Sequence, residues 1–198
     1  MKTINTYLFT ELPPEAKQIA IDNNRDINTA HDWSDYIVDN YKDLAALIGL
    51  EIDNIYWSGF IYQGDGACFT GSYSYKKGAV AALEEFVFDD HPLIELAKQL
   101  QIIQKDYFYS LTSTIHYLGG NYYHEQSVGV DTTIGDRHGT RELITPTKQL
   151  GDLFRGLMNT IYLDLQKEYE FLTSDEQIEE TLIANEYYFL INGQLAPQ

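Results

Sequence analysis

Residues 57–75 read W-S-G-F-I-Y-Q-G-D-G-A-C-F-T-G-S-Y-S-Y, with glycines at 59, 64, 66 and 71 set into a run of aromatic and β-favouring residues. Strand formers on both sides of a Gln-Gly-Asp-Gly centre predict a β-hairpin, because glycine alone reaches positive φ at little cost and Asp-Gly suits a primed turn. The expected strands are residues 51–62 and 67–76, with Gly64 or Gly66 at positive φ.

The rest of the chain arranges itself around that hairpin. Alternating apolar residues over 1–10 suggest a short strand, and Pro13 and Pro14 open a helix whose inner face is Ala16, Ile19, Ala20 and Ile27. Asp32 is placed to cap a second helix, where Trp33, Ile37, Tyr41, Leu44 and Ile48 recur at helical spacing and Gly49 ends it. Residues 77–87 read as a helix, and Asp90 and Pro92 open another that carries Leu93, Leu96, Leu100 and Ile103. A second hairpin is expected at 109–118 and 122–133, turned by Gly119-Gly120-Asn121. Residues 134–144 read as a polar loop. The longest helix starts at Thr145-Pro146, with Leu150, Leu153, Phe154, Leu157, Ile161 and Leu165 as its stripe. Ser174 with Gln177 makes a capping box for a last helix to about residue 185, and 187–191 form a terminal strand.

Helix pairs alternating with antiparallel hairpins give an α+β fold, since no single helix joins single strands as a βαβ unit requires. A single compact domain over 1–198 is expected, with a possible internal division into 11–76 and 77–133 followed by helices over 145–186.

Thirty acids against 13 bases set the formal charge at −17. Neutralising a nucleic-acid backbone requires Lys and Arg, so direct nucleic-acid binding is disfavoured, as is docking on anionic membranes. Basic surfaces are the favoured partners, including those of proteins that themselves bind nucleic acid. One cysteine fits a reducing compartment, no apolar run reaches the length of a membrane span, and residues 1–10 lack a signal-peptide pattern. A cytoplasmic protein is expected. Sixteen tyrosines among 198 residues suit half-wet surfaces or pockets.

Asp32, Asp35, Asp39 and Asp43 fall at i, i+3, i+7 and i+11, on a face nearly opposite the apolar stripe of the second helix. Their mutual repulsion weakens a helix slightly, and carboxylates about one turn apart make a crude copy of a phosphate row. Residues 164–186 form a second acidic stretch, with eight acids and Lys167 as the single base. Tyr62, Gln63 and Asp65, in the glycine hairpin, are candidates to line a ligand pocket. Arg137 and Arg141, in the loop D-R-H-G-T-R, are candidates to receive a phosphate or carboxylate. No strand–G-x-x-x-x-G-K-[ST]–helix element occurs, and no cofactor is expected.

Asp65-Gly66-Ala67-Cys68 resembles the D-G-x-C nucleophile motif of ovarian-tumour-type cysteine proteases, in which the cysteine opens a helix. Here Phe69–Tyr75 alternates like a strand, which makes Cys68 an ordinary thiol and a buried strand residue the favoured reading. His116 and His124 would face each other across the second hairpin, with His124 and Gln126 on one face of a strand and Glu125 and Asp131 on the other. Zinc would want a third or fourth ligand, from Asp65, Cys68 or Asp131, if the two hairpins touch. Histidines held by ordinary hydrogen bonds are the favoured reading.

The stretch W-S-G-F-x-x-Q-G-D-G-A-C-F resembles the signature of a group of tailed-bacteriophage proteins, some of them labelled antitoxins. The resemblance runs from E-L-P-P-E-A-K near the start to S-D-E-Q-I-E-E-T-L-I-A-N-E-Y near the end. It implies a phage protein acting in the cytoplasm of an infected bacterium. With the charge, it supports a non-enzymatic inhibitor that binds and blocks a host defence or nucleic-acid-handling protein. Two alternatives stand beside it: a sponge that sequesters a nucleotide immune signal in a Tyr-rich pocket near the glycine hairpin and Arg137/Arg141, since bases stack on aromatic faces, and a cysteine or metal-dependent hydrolase using Cys68, His116 and His124.

Overall fold

The computed structural model describes residues 5–136 and 139–197, with side chains left aside over 136–142. Among the described residues it is an α+β protein of six α-helices and two antiparallel sheets. The chain divides into two compact units, one of Met1–Asp35 with Gln166–Gln198 and one of Tyr36–Leu165.

In the first unit, β1 (Tyr7–Leu8) pairs with β7 (Tyr188–Phe189), and α1 (Pro14–Asn23) and α6 (Asp175–Ala184) complete the layer. Pro14 begins α1, where its missing N–H costs nothing, and Ser174 Oγ accepts the Gln177 N–H at 3.3 Å to cap α6. Phe9, Leu12, Ala16, Ala20, Ile178, Leu182 and Phe189 form the core, with Phe9 edge-on to Phe189. Ile19 points outward and Ile27 lies past the end of α1, so the inner stripe is Ala16-Ala20-Ile21. Two small residues there let the helix approach closely. Arg25 ties the helices by pairing with Asp22 and Asp175.

The second unit is built on a five-stranded sheet in the order β2 (Leu50–Trp57), β3 (Ala67–Ser74), β4 (Leu111–Tyr117), β5 (Val128–Asp136), β6 (Gly139–Glu142). Neighbours are antiparallel throughout, and β3 reaches β4 through α3 (Ala79–Glu84) and α4 (Pro92–Asp106). Along β3 and β4 the burial alternates. Phe69 and Tyr73 with Leu111, Ser113 and Ile115 face inward, and Thr112 and Thr114 face solvent. Phe154 of α5 (Ile144–Leu172) meets Phe69 and Tyr73 on the inner face, and Leu150, Leu157, Ile161 and Leu165 continue that stripe. Polar groups in this layer are paired: Ser113 bonds Thr132 at 2.9 Å, and Gln104 bonds both backbone groups of Leu111 at 2.8 and 3.1 Å.

Several expectations need correction. The helix α2 (Asp35–Leu47) begins two residues later than expected, so Asp32 and Trp33 precede it. Asp32 has φ 40°, and Trp33 packs on Tyr169 at 5.8 Å instead of joining the α2 stripe. The strand β2 stops at Trp57, leaving 58–66 as a nine-residue loop where a tight turn was expected. The cap of α4 is His91, whose Nδ1 accepts the Leu93 N–H at 3.3 Å, not Asp90. The strand β5 starts only at Val128, so His124, Glu125 and Gln126 lie in a loop with a 3₁₀ turn at Glu125–Ser127, and the face argument for them fails. Finally, the expected polar loop at 134–144 contains the end of β5 and all of β6.

Candidate functional site

The helix α2 turns one face inward and leaves the other bare. Tyr41, Leu44, Ala45 and Ile48 are buried, and the Tyr41 hydroxyl donates to Asp164 at 2.5 Å. Burial first, and then this carboxylate, push the Tyr41 phenol well above its usual range. On the outer side Asp35, Asp39 and Asp43 are all exposed. Four residues of helix advance about 6 Å, so the three carboxylates stand in a slanting row at about that pitch.

Beside the row, α2 and the segment after α3 enclose an open groove of about 540 Å³, lined by Tyr36, Asn40, Asp43, Leu44, Leu47, Phe86, Val87, Phe88 and His91. The local cause is clear. The helix α3 ends at Glu84, and Phe86 and Val87 N–H groups close back on the Leu83 carbonyl, which throws residues 86–90 outward. Leu83 is fully buried and anchors that turn. Tyr36, Phe86 and Phe88 are left 81%, 68% and 87% exposed. Leu44, Leu47 and Val87 make the floor, and Asp43 joins the groove to the carboxylate row. Glu84, Glu85, Asp89 and Asp90 are exposed around the Phe-Val-Phe triplet. No Lys or Arg is among the described residues that line the groove. Burial pushes the His91 imidazole below its usual range, which keeps it neutral near pH 7.

The glycine loop is a different kind of place. Its carboxylate is spent internally: Asp65 accepts the N–H groups of Tyr62 at 2.7 Å and Ile61 at 2.9 Å. Those bonds, Tyr62 first, hold the Asp65 carboxyl below the usual range. The Tyr162 hydroxyl donates to the Gly59 carbonyl at 3.2 Å, and Trp57, Phe60 and Tyr162 stack in sequence. Gly64 has φ 106°, and a β-carbon there would lie 3.4 Å from the Tyr122 ring. Gly66 does not have positive φ. It is glycine for space, since a β-carbon would come within 3.2 Å of the His124 backbone. Tyr62 and Gln63 are exposed at the tip.

The two hairpins therefore do touch. Cys68 is buried on β3, and burial pushes its thiol up to about 11, with only a bond from the His124 backbone acting the other way. His124 Nδ1 lies 3.0 Å from Glu125, and His116 Nδ1 lies 3.4 Å from Asp131 on the outer sheet face. No group of three or more His, Cys, Asp or Glu is placed to hold a metal ion among the described residues. Tyr123 stacks on Tyr56 at 5.2 Å, and Tyr117 lies tilted against both, at 6.2 Å from Tyr56 and 5.7 Å from Tyr123. Arg141 pairs with Ile134 on β6 and its side chain lies outside the described residues, as does Arg137 altogether. Tyr117 pairs with Val128 at the other end of β5, so six residues of strand, roughly 20 Å, separate Arg141 from the aromatic loops.

Sequence reasoning missed Phe86, Val87 and Phe88 as surface residues, having placed 77–87 in one helix. The signal was present in E-E-F-V-F-D-D, where two phenylalanines alternate within a run flanked by acids. No helix among the described residues is long and apolar enough to cross a membrane. No curated protein and no solved structure gives a match to the chain. A family model described as Domain of unknown function (DUF8835) matches residues 33–175, which include α2, the groove and the whole five-stranded sheet, and the chain belongs to that family.

Proposed function

We propose that this is an acidic, phage-encoded, non-enzymatic inhibitor that binds a basic host protein, one of defence or nucleic-acid handling, and blocks it. The observation that carries the reading is the exposed carboxylate row of α2 running into an aromatic groove with no Lys or Arg among the described residues that line it. A purely structural helix gains nothing from three like charges on one face, which repel at i, i+4 spacing. A partner that grips phosphates through Lys and Arg would gain from the same charges, and the −17 total would steer it in. The signature resemblance in the glycine loop supports a host-directed phage role. A buried Cys68 with a raised thiol argues against thiolate catalysis.

The test is affinity capture of the tagged protein from infected and uninfected lysate, with nucleotides extracted from the same eluate. The expected result is a basic protein retained by the natural chain and lost when Asp35, Asp39 and Asp43 become Asn. A nucleotide in the eluate with no retained protein would overturn the reading and favour the sponge.

A further inference from the structure

We propose that the groove between α2 and residues 86–91 is a receptor for an arginine side chain of the partner. This rests on the reading just given and specifies its chemistry. Exposed apolar patches rimmed by charge mark interaction sites, and three rings this bare have no packing role to explain them. The groove's 540 Å³ falls inside the roughly 300–1,000 Å³ range of ligand sites.

Charge selects the occupant. Asp43 lies within the groove, and Glu84, Glu85, Asp89 and Asp90 stand exposed beside it, with no Lys or Arg among the described residues that line it to offset them. A phosphate or carboxylate ligand would be repelled, and so would a second copy of a chain at −17. A cation is favoured, and the walls distinguish which. Lysine carries a compact, strongly hydrated charge, whereas a guanidinium is planar, sheds water more readily, stacks on rings and meets a carboxylate with two parallel bonds. Tyr36, Phe86 and Phe88 supply the faces, Asp43 the carboxylate and Asn40 a further acceptor. The Leu44-Leu47-Val87 floor takes the methylene stem and an aliphatic neighbour. The neutral His91 leaves that attraction intact near pH 7.

The experiment is fluorescence anisotropy with the full chain and a labelled peptide of three Gly-Ser-Arg-Leu repeats, beside analogues carrying Lys or citrulline in place of Arg, at physiological salt. The Arg peptide is expected to bind about tenfold or more tighter than the Lys peptide, because ring stacking and bidentate pairing are lost with lysine. The citrulline peptide is expected not to bind. Asp43→Asn and Phe88→Ala should each weaken the Arg peptide by about tenfold and erase its advantage over Lys. Phe88 is exposed, so its loss leaves the melting temperature unchanged. Glu176→Gln, which removes one charge from α6, should change nothing. Equal affinity for the Arg and Lys peptides, no binding by either, or an Asp43→Asn effect no larger than that of Glu176→Gln overturns the proposal. Lysate capture separates the two levels of inference. A partner lost in Asp35→Asn/Asp39→Asn but kept in Phe88→Ala removes the arginine receptor alone, whereas peptide binding with no lysate partner removes the inhibitor reading.

Discussion

The loop at residues 58–66 and the groove beside α2 are both made of rings and carboxylates, yet they dispose of them in opposite ways. In the loop, Asp65 is consumed by two backbone N–H groups, and Trp57, Phe60 and Tyr162 stack in sequence. In the groove, Tyr36, Phe86 and Phe88 stand open and the nearby carboxylates are exposed. A carboxylate bound by the backbone of its own loop stabilises the fold. A surface that leaves rings and like charges uncovered has kept its interactions for something else. On this contrast the most conspicuous words of the sequence belong to the architecture, and the proposed binding surface lies on a plain acidic helix.

If that contrast holds, changes around the glycine loop should act on stability and changes around the groove on binding. The largest effect is expected at Gly71, where β2 and β3 run so close at a bulge that a β-carbon would lie 2.0 Å from the Glu51 carbonyl oxygen. Gly71→Ala should cost about 3 kcal/mol or more, since the obstacle is backbone and cannot swing away. A denaturation midpoint close to that of the natural chain would show that the strands can part cheaply. Gly64→Val comes next, at roughly 1–3 kcal/mol of backbone strain, with affinity for the captured partner unchanged. Loss of binding at constant stability there would move the site to the loop.

Strong local patterns were legible and their ends were not. The α5 stripe from Leu150 to Leu165, the Ser174 cap and both hairpin pairings followed from periodicity and capping alone. The strand β2 was read too long because Phe60, Ile61 and Tyr62 favour strands. Asp65 nevertheless offers the Ile61 and Tyr62 N–H groups a side-chain acceptor, and that local bonding wins over the ladder. The Gly119-Gly120-Asn121 turn was read too short for a similar reason, since the Tyr117 hydroxyl donates to the Gly120 and Tyr122 carbonyls and holds a wider loop. Of the site, the carboxylates at 35, 39 and 43 were readable from spacing. The groove was not, because its second wall comes from residues about forty positions further on, and no local pattern reports such a meeting.

Cys68 offers a smaller and sharper check. With its thiol buried and pushed up to about 11, the native chain should resist alkylation by iodoacetamide at pH 8 and react quickly once unfolded. Cys68→Ala should cost about 1 kcal/mol as a lost buried contact and leave partner binding intact. Rapid native alkylation, or binding lost at unchanged melting temperature, would bring thiol chemistry back. Asp65 acts on the acid side. Its carboxyl is held below the usual range when folded, so its contribution is complete above the unfolded value near 3.9 and fades as pH falls through the folded one. Asp65→Asn should therefore lower the melting temperature slightly at pH 7, and the difference should shrink below about pH 4. A constant difference across that window would mean that the amide replaces the carboxylate bonds fully.

The smallest stability effect should accompany the clearest change in binding. Replacing Asp35, Asp39 and Asp43 with Asn removes two like-charge i, i+4 pairs from an exposed face, so the fold should gain a few tenths of a kcal/mol or hold steady. Partner affinity should drop, and its dependence on salt should flatten, because exposed charges act over a screening length of about 8 Å at physiological ionic strength. The sign of the two changes is the point. A residue kept for the fold loses stability when it is removed, whereas one kept for a partner costs the fold a little while it is present. A triple variant that is less stable than the natural chain, with affinity and salt slope intact, would turn the comparison around and return the α2 carboxylates to the architecture.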